Sequence, residues 1–208
     1  LNNLALIYAE MDNVEEAQSL LKQALEIRQK TLGPDHPDVA VTLNNLAGLY
    51  KMRAKYSLAE DYYKQALAIW EKAVGPDHPS VAKTLNNLAV VYASTKRFSE
   101  AKQANQRAVA IWTKTLGPNH PETAAGLTNL GFTLAAEGKY GEAETAYKSA
   151  IATLEKHESA KRTELPNALS SLAELYRVER KYNDSILTFR RAVGLLENEL
   201  GAAHPTVA

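Results

Sequence analysis

The sequence has 208 residues, of which 45% are hydrophobic and 23% charged, as expected of a folded globular protein and not of a disordered or fibrous one. Lys+Arg and Asp+Glu balance at 24 each, so no basic surplus favours nucleic acid as a partner. The absence of cysteine excludes disulfides, a thiol nucleophile and a cysteine-based zinc site. Apolar runs are too short to span a membrane and no signal peptide is visible, so we expect a cytoplasmic protein without a membrane partner.

The chain is built from a repeat of 42 residues. The segment "LNNLALIY" at residue 1 returns as "LNNLAGLY" at 43, "LNNLAVVY" at 85, "LTNLGFTL" at 127 and "LSSLAELY" at 169. An unbroken period of this length indicates a solenoid of stacked units. Because the sequence opens inside a repeat, we expect a fragment of a longer array. We expect one domain over 1–208, with repeat frames 1–42, 43–84, 85–126, 127–168 and 169–208.

Each frame predicts a pair of helices. In the second frame, Leu43, Leu46 and Tyr50 recur at helical spacing in one segment, and Tyr63 and Trp70 do so in the next. No segment alternates with a period of two, so the predicted fold class is all-α. Helices are predicted over 1–11, 14–32, 37–53, 56–74, 79–95, 98–116, 121–137, 140–157, 163–179 and 182–200, with a further start from 204.

The linker "GPDHP" contains signals that end one helix and begin the next. Gly75 can adopt the left-handed conformation found after a helix, and Pro76 prevents the helix from continuing. Asp77 is predicted to cap the following helix, and Pro79 is tolerated in its first turn. The fourth linker, "HESAKRTELP", lacks this motif, so we expect a different turn after residue 157.

The pattern formed by Leu46, Ala47, Tyr50, Ala59 and Tyr63 resembles the tetratricopeptide signature. The unit is longer than the usual repeat of about 34 residues. This long form, with "LGPDHPDVA" leading into the first helix, is similar to the repeats of kinesin light chains and of bacterial proteins like them. The resemblance implies a right-handed tetratricopeptide solenoid of about five repeats that acts as a non-catalytic scaffold for a protein or peptide partner.

The resemblance also implies a place for the ligand. Kinesin light chain repeats bind cargo peptides in which a Trp is flanked by acidic residues. The related superhelix of O-linked N-acetylglucosamine transferase holds peptide backbone with a ladder of asparagines on its inner wall. A peptide in the concave groove is therefore expected here. Asn44 and Gly48 replace the Lys and Asn of the clamp that binds chaperone tails in other tetratricopeptide domains, which disfavours that ligand class.

The asparagine pair in "TLNNLA" is unexpected, because each Asn inside a helix costs about half a kcal/mol relative to Ala. With Leu43 at 0°, Asn45 projects at about 200°, nearly opposite the core, and Asn44 at about 100°. An amide has both a donor and an acceptor and can bracket peptide backbone. The alternatives are a solvated amide or a hydrogen bond to a neighbouring helix. Backbone contact is predicted for Asn3, Asn45, Asn87 and Asn129, with Asn44 and Asn86 at the groove edge.

Apolar and basic side chains complete the predicted groove. Residues 43–126 carry eleven basic and six acidic side chains, and Lys51 and Lys83 lie near the inner wall. These lysines are either solvated or favour a ligand with acidic flanks around a hydrophobic anchor. We expect the hydrophobic anchor to contact the residues at one shared frame position: Leu6, Val90 and Phe132. The alternative is that these residues pack between repeats.

We found no catalytic or metal-binding motif in the sequence. One histidine per linker, at 36, 78, 120 and 204, cannot converge on one ion with bonds of about 2 Å, because the linkers lie about one helix-pair spacing apart. These histidines are predicted to serve in caps and turns, and we expect no enzyme, metal or cofactor. Two alternatives to the peptide scaffold are self-association through the end repeats, as an oligomerisation module of a larger protein, and an enzyme whose catalytic domain lies outside this chain.

Asn105 is an exception to the frame. It occupies a core position that Tyr63 and Tyr147 hold in other repeats. A local polar contact is its one predicted role.

Overall fold

The computed structural model describes residues 1–157 and 163–200, without the side chains of 198–200. Within these ranges the chain forms ten α-helices and no β-strand, which confirms the all-α fold class. The helices are α1 (Asn2–Glu10), α2 (Val14–Leu32), α3 (Pro37–Met52), α4 (Tyr56–Val74), α5 (Pro79–Ser94), α6 (Phe98–Thr115), α7 (Pro121–Ala136), α8 (Tyr140–Leu154), α9 (Glu164–Val178) and α10 (Tyr182–Leu200).

The helix boundaries agree with the prediction to within one residue, except at the end of α8. That helix ends at Leu154, with Glu155 as its C-cap, rather than at residue 157. The predicted helix start at 204, His204 and residues 158–162 of the fourth linker lie outside the described residues.

The chain divides into two compact units, Leu1–Ala104 and Asn105–Ala208. In the first unit, α1 pairs with α2 and α3 with α4, while α3 also packs on α2 and α5 on α4. In the second unit, α7 pairs with α8 and α9 with α10, and α9 also packs on α8 and α7. A first helix thus packs against its own partner and against the second helix of the hairpin before it.

Small residues allow the close approach of the paired helices. Ala17, Ala59 and Ala143 hold one frame position and are fully buried. Ser185 holds the same position in α10, and its hydroxyl donates a hydrogen bond of 2.8 Å to the Ala173 carbonyl of α9. The hydroxyl is therefore satisfied inside the hairpin. A second set of buried alanines lies further along the second helices: Ala24, Ala66, Ala108, Ala150 and Ala192.

Histidine, not aspartate, caps three of the first helices, α3, α5 and α7. The prediction for Asp77 is wrong, because His78 is the N-cap of α5 and its Nδ1 accepts from the Ser80 backbone N–H at 3.2 Å. Pro79 occupies the first turn, which places the preceding histidine at the N-cap. His36 and His120 cap α3 and α7 in the same way. The linker glycines adopt positive φ, as expected: 89° at Gly33, 90° at Gly75 and 97° at Gly117.

Asn105 has a buried partner that explains its place in the core. Its side chain is 1% exposed, and its Nδ2 donates to the Thr133 hydroxyl at 3.2 Å. Thr133 is itself a departure, because the same frame position is Leu49 in α3 and Leu175 in α9. A hydrogen-bonded polar pair therefore stands at two frame positions where the other repeats have large apolar or aromatic residues, although the Asn105 Oδ1 atom has no hydrogen-bond partner.

Two of the buried tyrosines predict a loss of stability at alkaline pH. Burial raises the pKa of Tyr63 and of Tyr147 to about 12, from 10.0. Because the pKa is higher in the folded chain than in the unfolded chain, stability is fully present below pH 10 and is lost as pH rises from 10 towards 12. Urea unfolding of the wild type and of the Tyr63→Phe, Tyr147→Phe double variant should show a smaller loss over this window in the variant. Equal losses would contradict the assignment.

Candidate functional site

Two asparagines of the predicted ladder lie on one surface of the first unit. Asn45 on α3 and Asn87 on α5 are both partly exposed, and they line the same pocket of about 260 Å³. Neither amide forms a hydrogen bond within the described part of the chain. Both amides are therefore open to a ligand. The other residues of this polar pocket are Val41, Asn44, Trp70, Ser80 and Lys83.

Asn44, adjacent in sequence, has a structural role. Its Nδ2 donates to the Thr84 hydroxyl at 2.9 Å, which joins α3 to α5. The Thr84 hydroxyl in turn donates to the Ser80 carbonyl at 2.9 Å. The Asn44 Oδ1 atom and the Trp70 Nε1 atom are buried without a hydrogen-bond partner. Asn44 therefore follows one of the alternatives open from the sequence, in which the amide bonds to a neighbouring helix.

The remaining predicted asparagines lie elsewhere along the chain. Asn3 on α1 is exposed, whereas Asn2 and Asn86 hold the frame position of Asn44 and are partly buried. Asn129 lies on α7 in the second unit and is partly exposed.

The second unit has a larger, apolar pocket of about 480 Å³. Phe132 lines it and is 57% exposed, in contrast to the buried aromatic residues of the core. Ser171, which holds the frame position of Asn129, lies in the same pocket. The predicted anchor position and the predicted ladder position therefore face one cavity. Its other lining residues are Ala135, Ala136, Tyr140, Tyr147, Ser170, Glu174, Leu175 and Val178.

Tyr140 and Val178 also line this pocket and were not among the predicted site residues. Tyr140 comes from the second helix of the hairpin, and the prediction considered the first helices alone. Val178 lies near the end of α9 and is 49% exposed. The sequence signal for it was an apolar residue that falls outside the apolar spacing of the core. The other two predicted anchor residues are in the first unit, where Leu6 is 42% exposed and Val90 is partly buried.

The basic residues near the predicted wall differ in their surroundings. Lys51 is partly buried, and this burial lowers the pKa of its ammonium group. No carboxylate within the described ranges forms an ion pair with it. Lys83 is exposed at the rim of the polar pocket. Arg97, in contrast, is bound to Glu60 at 2.6 Å and to Glu100, so its charge is already compensated.

The described residues include no helix that is long and apolar enough to cross a membrane. In the same part of the chain, no three His, Cys, Asp or Glu side chains are grouped so that they could hold a metal ion.

Comparison with known proteins points to one kind of repeat. A family model described as the Nephrocystin-3 TPR domain matches residues 2–116, and one described as Tetratricopeptide repeat matches residues 80–156. No curated protein matches the chain.

Solved structures include several with the same fold. The nearly identical TPR-like repeats of a putative kinesin light chain from Podosopora anserina are 25% identical to this chain, with 96% of this chain and 94% of that chain covered and a TM-score of 0.77. BtubC (BKLC) from P. vanneervenii is 22% identical, with 97% and 80% covered and a TM-score of 0.82. A Rap protein complexed with Competence and Sporulation Factor is 19% identical, with 99% and 60% covered and a TM-score of 0.79.

The two adjacent asparagines of α3 should respond differently to the same substitution. Asn44→Ala and Asn45→Ala gain the same helix propensity, but only the first removes the hydrogen bond to Thr84. We expect Asn44→Ala to be less stable than Asn45→Ala by about 1 kcal/mol in urea unfolding. An Asn44→Ala variant as stable as Asn45→Ala would show that this bond contributes nothing.

Proposed function

Because the chain belongs to the tetratricopeptide repeat family and has kinesin light chain-like repeats, we propose that it is a non-catalytic, cytoplasmic scaffold that binds an extended peptide segment of a partner protein. Tetratricopeptide repeats serve as protein–protein interaction scaffolds, which gives the class of the function. The peptide, its place on the first helices and its chemistry are our proposal. No cofactor takes part in it.

The apolar pocket beside Phe132 carries the proposal. Its volume of about 480 Å³ falls within the range of roughly 300–1,000 Å³ typical of ligand sites. Two exposed apolar residues, Phe132 and Val178, border it, and the hydroxyl groups of Ser170 and Ser171 provide polar contacts beside them. Burying one large apolar side chain of a partner there would contribute about 1.5–3 kcal/mol. The pocket therefore suits the hydrophobic anchor of a peptide.

The amides of Asn45 and Asn87 form a proposed peptide contact of their own in the first unit. Each offers a donor and an acceptor, and neither is engaged by another described residue. An extended peptide exposes its own N–H and C=O groups, which need partners once water is displaced. In the second unit Asn129 holds the same frame position, and Leu6 and Val90 are the anchor positions of the first unit. Asn3 belongs to the same predicted row as Asn45 and Asn87, and Asn44 and Asn86 lie at the edge of the proposed groove.

Lys51 and Lys83 favour acidic residues in a peptide segment bound to the first unit. A partly buried ammonium without a carboxylate partner has lost hydration that an anion of the ligand would replace. Lys83 lies at the polar pocket with Asn45 and Asn87, so a carboxylate could be held there while the amides hold backbone. The attraction should weaken with salt, because screening acts over about 10 Å at 0.1 M.

Phe132→Ala tests the peptide proposal. Peptides selected from a random display library on the wild-type chain should be rich in acidic residues around one apolar residue, and salt should weaken their binding. Phe132→Ala should weaken the best peptide by about tenfold or more, because part of the anchor's apolar contact is lost. Isothermal titration calorimetry measures this loss.

Leu187→Ala is the matched control, because Leu187 is also exposed, at 63%, but lies on α10 away from this pocket. The affinity of Leu187→Ala for the best peptide should equal that of the wild type. Both Leu187→Ala and Phe132→Ala should melt near the wild-type temperature. Selection of no peptide, or equal binding by Phe132→Ala and the wild type, would overturn the proposal.

Self-association is a second candidate, favoured by one observation on α10. Ile186 is 50% exposed and holds the frame position that is Gln18, Glu60 and Glu144 in earlier hairpins. There Gln18 and Glu144 bond to the tyrosine hydroxyl of the following first helix, at 2.9 and 3.0 Å. Ile186 therefore suits an apolar partner that covers this side of α10, either the next first helix, whose predicted start at 204 lies outside the described residues, or a second copy of the chain.

The self-association candidate predicts a mass that rises with protein concentration in multi-angle light scattering. Ile186→Glu should return the chain to a monomer, because a charge would be buried in the contact between copies. A wild-type chain that stays monomeric at every concentration would eliminate this candidate and leave the peptide scaffold unaffected.

A further inference from the structure

Gly131 packs against the ring of Tyr147, which lines the apolar pocket. We propose that Gly131 determines the depth of this pocket, because it lets the ring lie close to α7. A deep pocket selects a large apolar side chain as the anchor of the partner peptide. This inference rests on the proposed peptide-binding function and deepens it, because it assigns the size preference of the pocket to one residue that does not itself line it.

The Tyr147 ring packs directly on the backbone of α7. A Cβ atom at position 131 would lie 2.8 Å from Cε1, 2.9 Å from Cδ1 and 3.0 Å from Cζ of this ring. Real side chains do not approach so closely, so any residue other than glycine would displace the ring. Gly131 is buried in the middle of α7 at a helical conformation, where its benefit is space and not backbone freedom.

The other repeats show that glycine is unusual at this position. Ala47, Ala89 and Ala173 occupy it in α3, α5 and α9, and all three are buried. In the α3–α4 hairpin the glycine comes one residue later, at Gly48, where an added Cβ would lie at an ordinary 3.8 Å from the Tyr63 hydroxyl. The close packing of a tyrosine ring on a glycine backbone is thus a feature of the α7–α8 hairpin.

The pocket is the free space into which a displaced ring would move. Tyr147 is 2% exposed and belongs to the core cluster of the second unit, so most of its surface is packed. The open side of the ring is the one that lines the pocket, together with Phe132 and Ala135. A methyl group at position 131 pushes the ring towards that side. The pocket then becomes shallower, and a large apolar side chain fits less well than a small one.

Gly131→Ala is the test, with two library-selected peptides as probes. One carries its selected large anchor, and the other has alanine at the anchor position. In Gly131→Ala the affinity for the large anchor should fall by about tenfold, whereas the affinity for the alanine peptide should change by less than about twofold. The ratio of the two affinities is the readout, because general damage to the site would lower both alike.

Gly141→Ala is the matched control. It adds the same methyl group to a helix of the same unit, and nothing lies within 4 Å of the new atom. This control should bind both peptides as the wild type does. If Gly131→Ala leaves the affinity ratio unchanged, Gly131 does not set the size preference.

A probe that is not a peptide separates this inference from the proposed function. In NMR titrations of the wild type and Gly141→Ala, toluene should shift the backbone amide signals of Phe132, Tyr147 and Val178, and in Gly131→Ala these shifts should be lost. Failure to select any peptide would overturn the proposed function alone. Equal toluene binding by Gly131→Ala and the wild type would overturn the role of Gly131, whatever peptides bind.

Discussion

The second helix of each hairpin has an apolar side that is buried once the first helix of the next hairpin packs on it. Tyr63 on α4 and Tyr147 on α8 are 1% and 2% exposed, since α5 and α9 pack against those helices. Stability is therefore shared between neighbouring hairpins, which is the physical basis of repeat folds. Each covering helix must present the same apolar side to the hairpin before it. The apolar residues therefore recur at a constant period in the sequence.

The parts of the fold that obey this requirement could be predicted from the sequence, and the parts that depend on single contacts could not. Helical spacing and linker residues located the helices to within about one residue, because apolar periodicity and Gly–Pro signals act locally. The linker histidines were predicted to serve in caps and turns, but the cap of α5 was also assigned to Asp77, because the general preference for Asp at such positions is stronger than that for His. Pro79 was predicted in the first turn, yet His78, the residue before it, was not identified as the N-cap. Likewise, Asn105 looked unexplained until Thr133, 28 residues away in sequence, proved to be its partner.

The candidate site was predictable to the same extent. Helical geometry correctly placed Asn45 away from the core, and Phe132 proved to line a cavity. Helical geometry alone could not fully separate the roles of Asn44 and Asn45. The hydrogen bond between Asn44 and Thr84 joins two helices, and its partners are 40 residues apart in sequence. The pockets themselves depend on which second-helix residues approach, such as Trp70 and Tyr140. Which second-helix residues approach a pocket depends on side-chain packing, and the repeat period of the sequence does not predict it.

The repeats can differ at frame positions that packing does not fix, and the anchor position of the candidate site is one of these. The buried alanines are the same in frame after frame, but the anchor position is Leu6, Gly48, Val90, Phe132 and Glu174 in turn. A strict repeat of one contact would recognise a repetitive ligand. Here the first unit offers amides and a lysine in a polar pocket, and the second offers an apolar cavity. Under the proposed function each unit would select a different kind of residue, so specificity would come from the few side chains that the common core leaves free to vary.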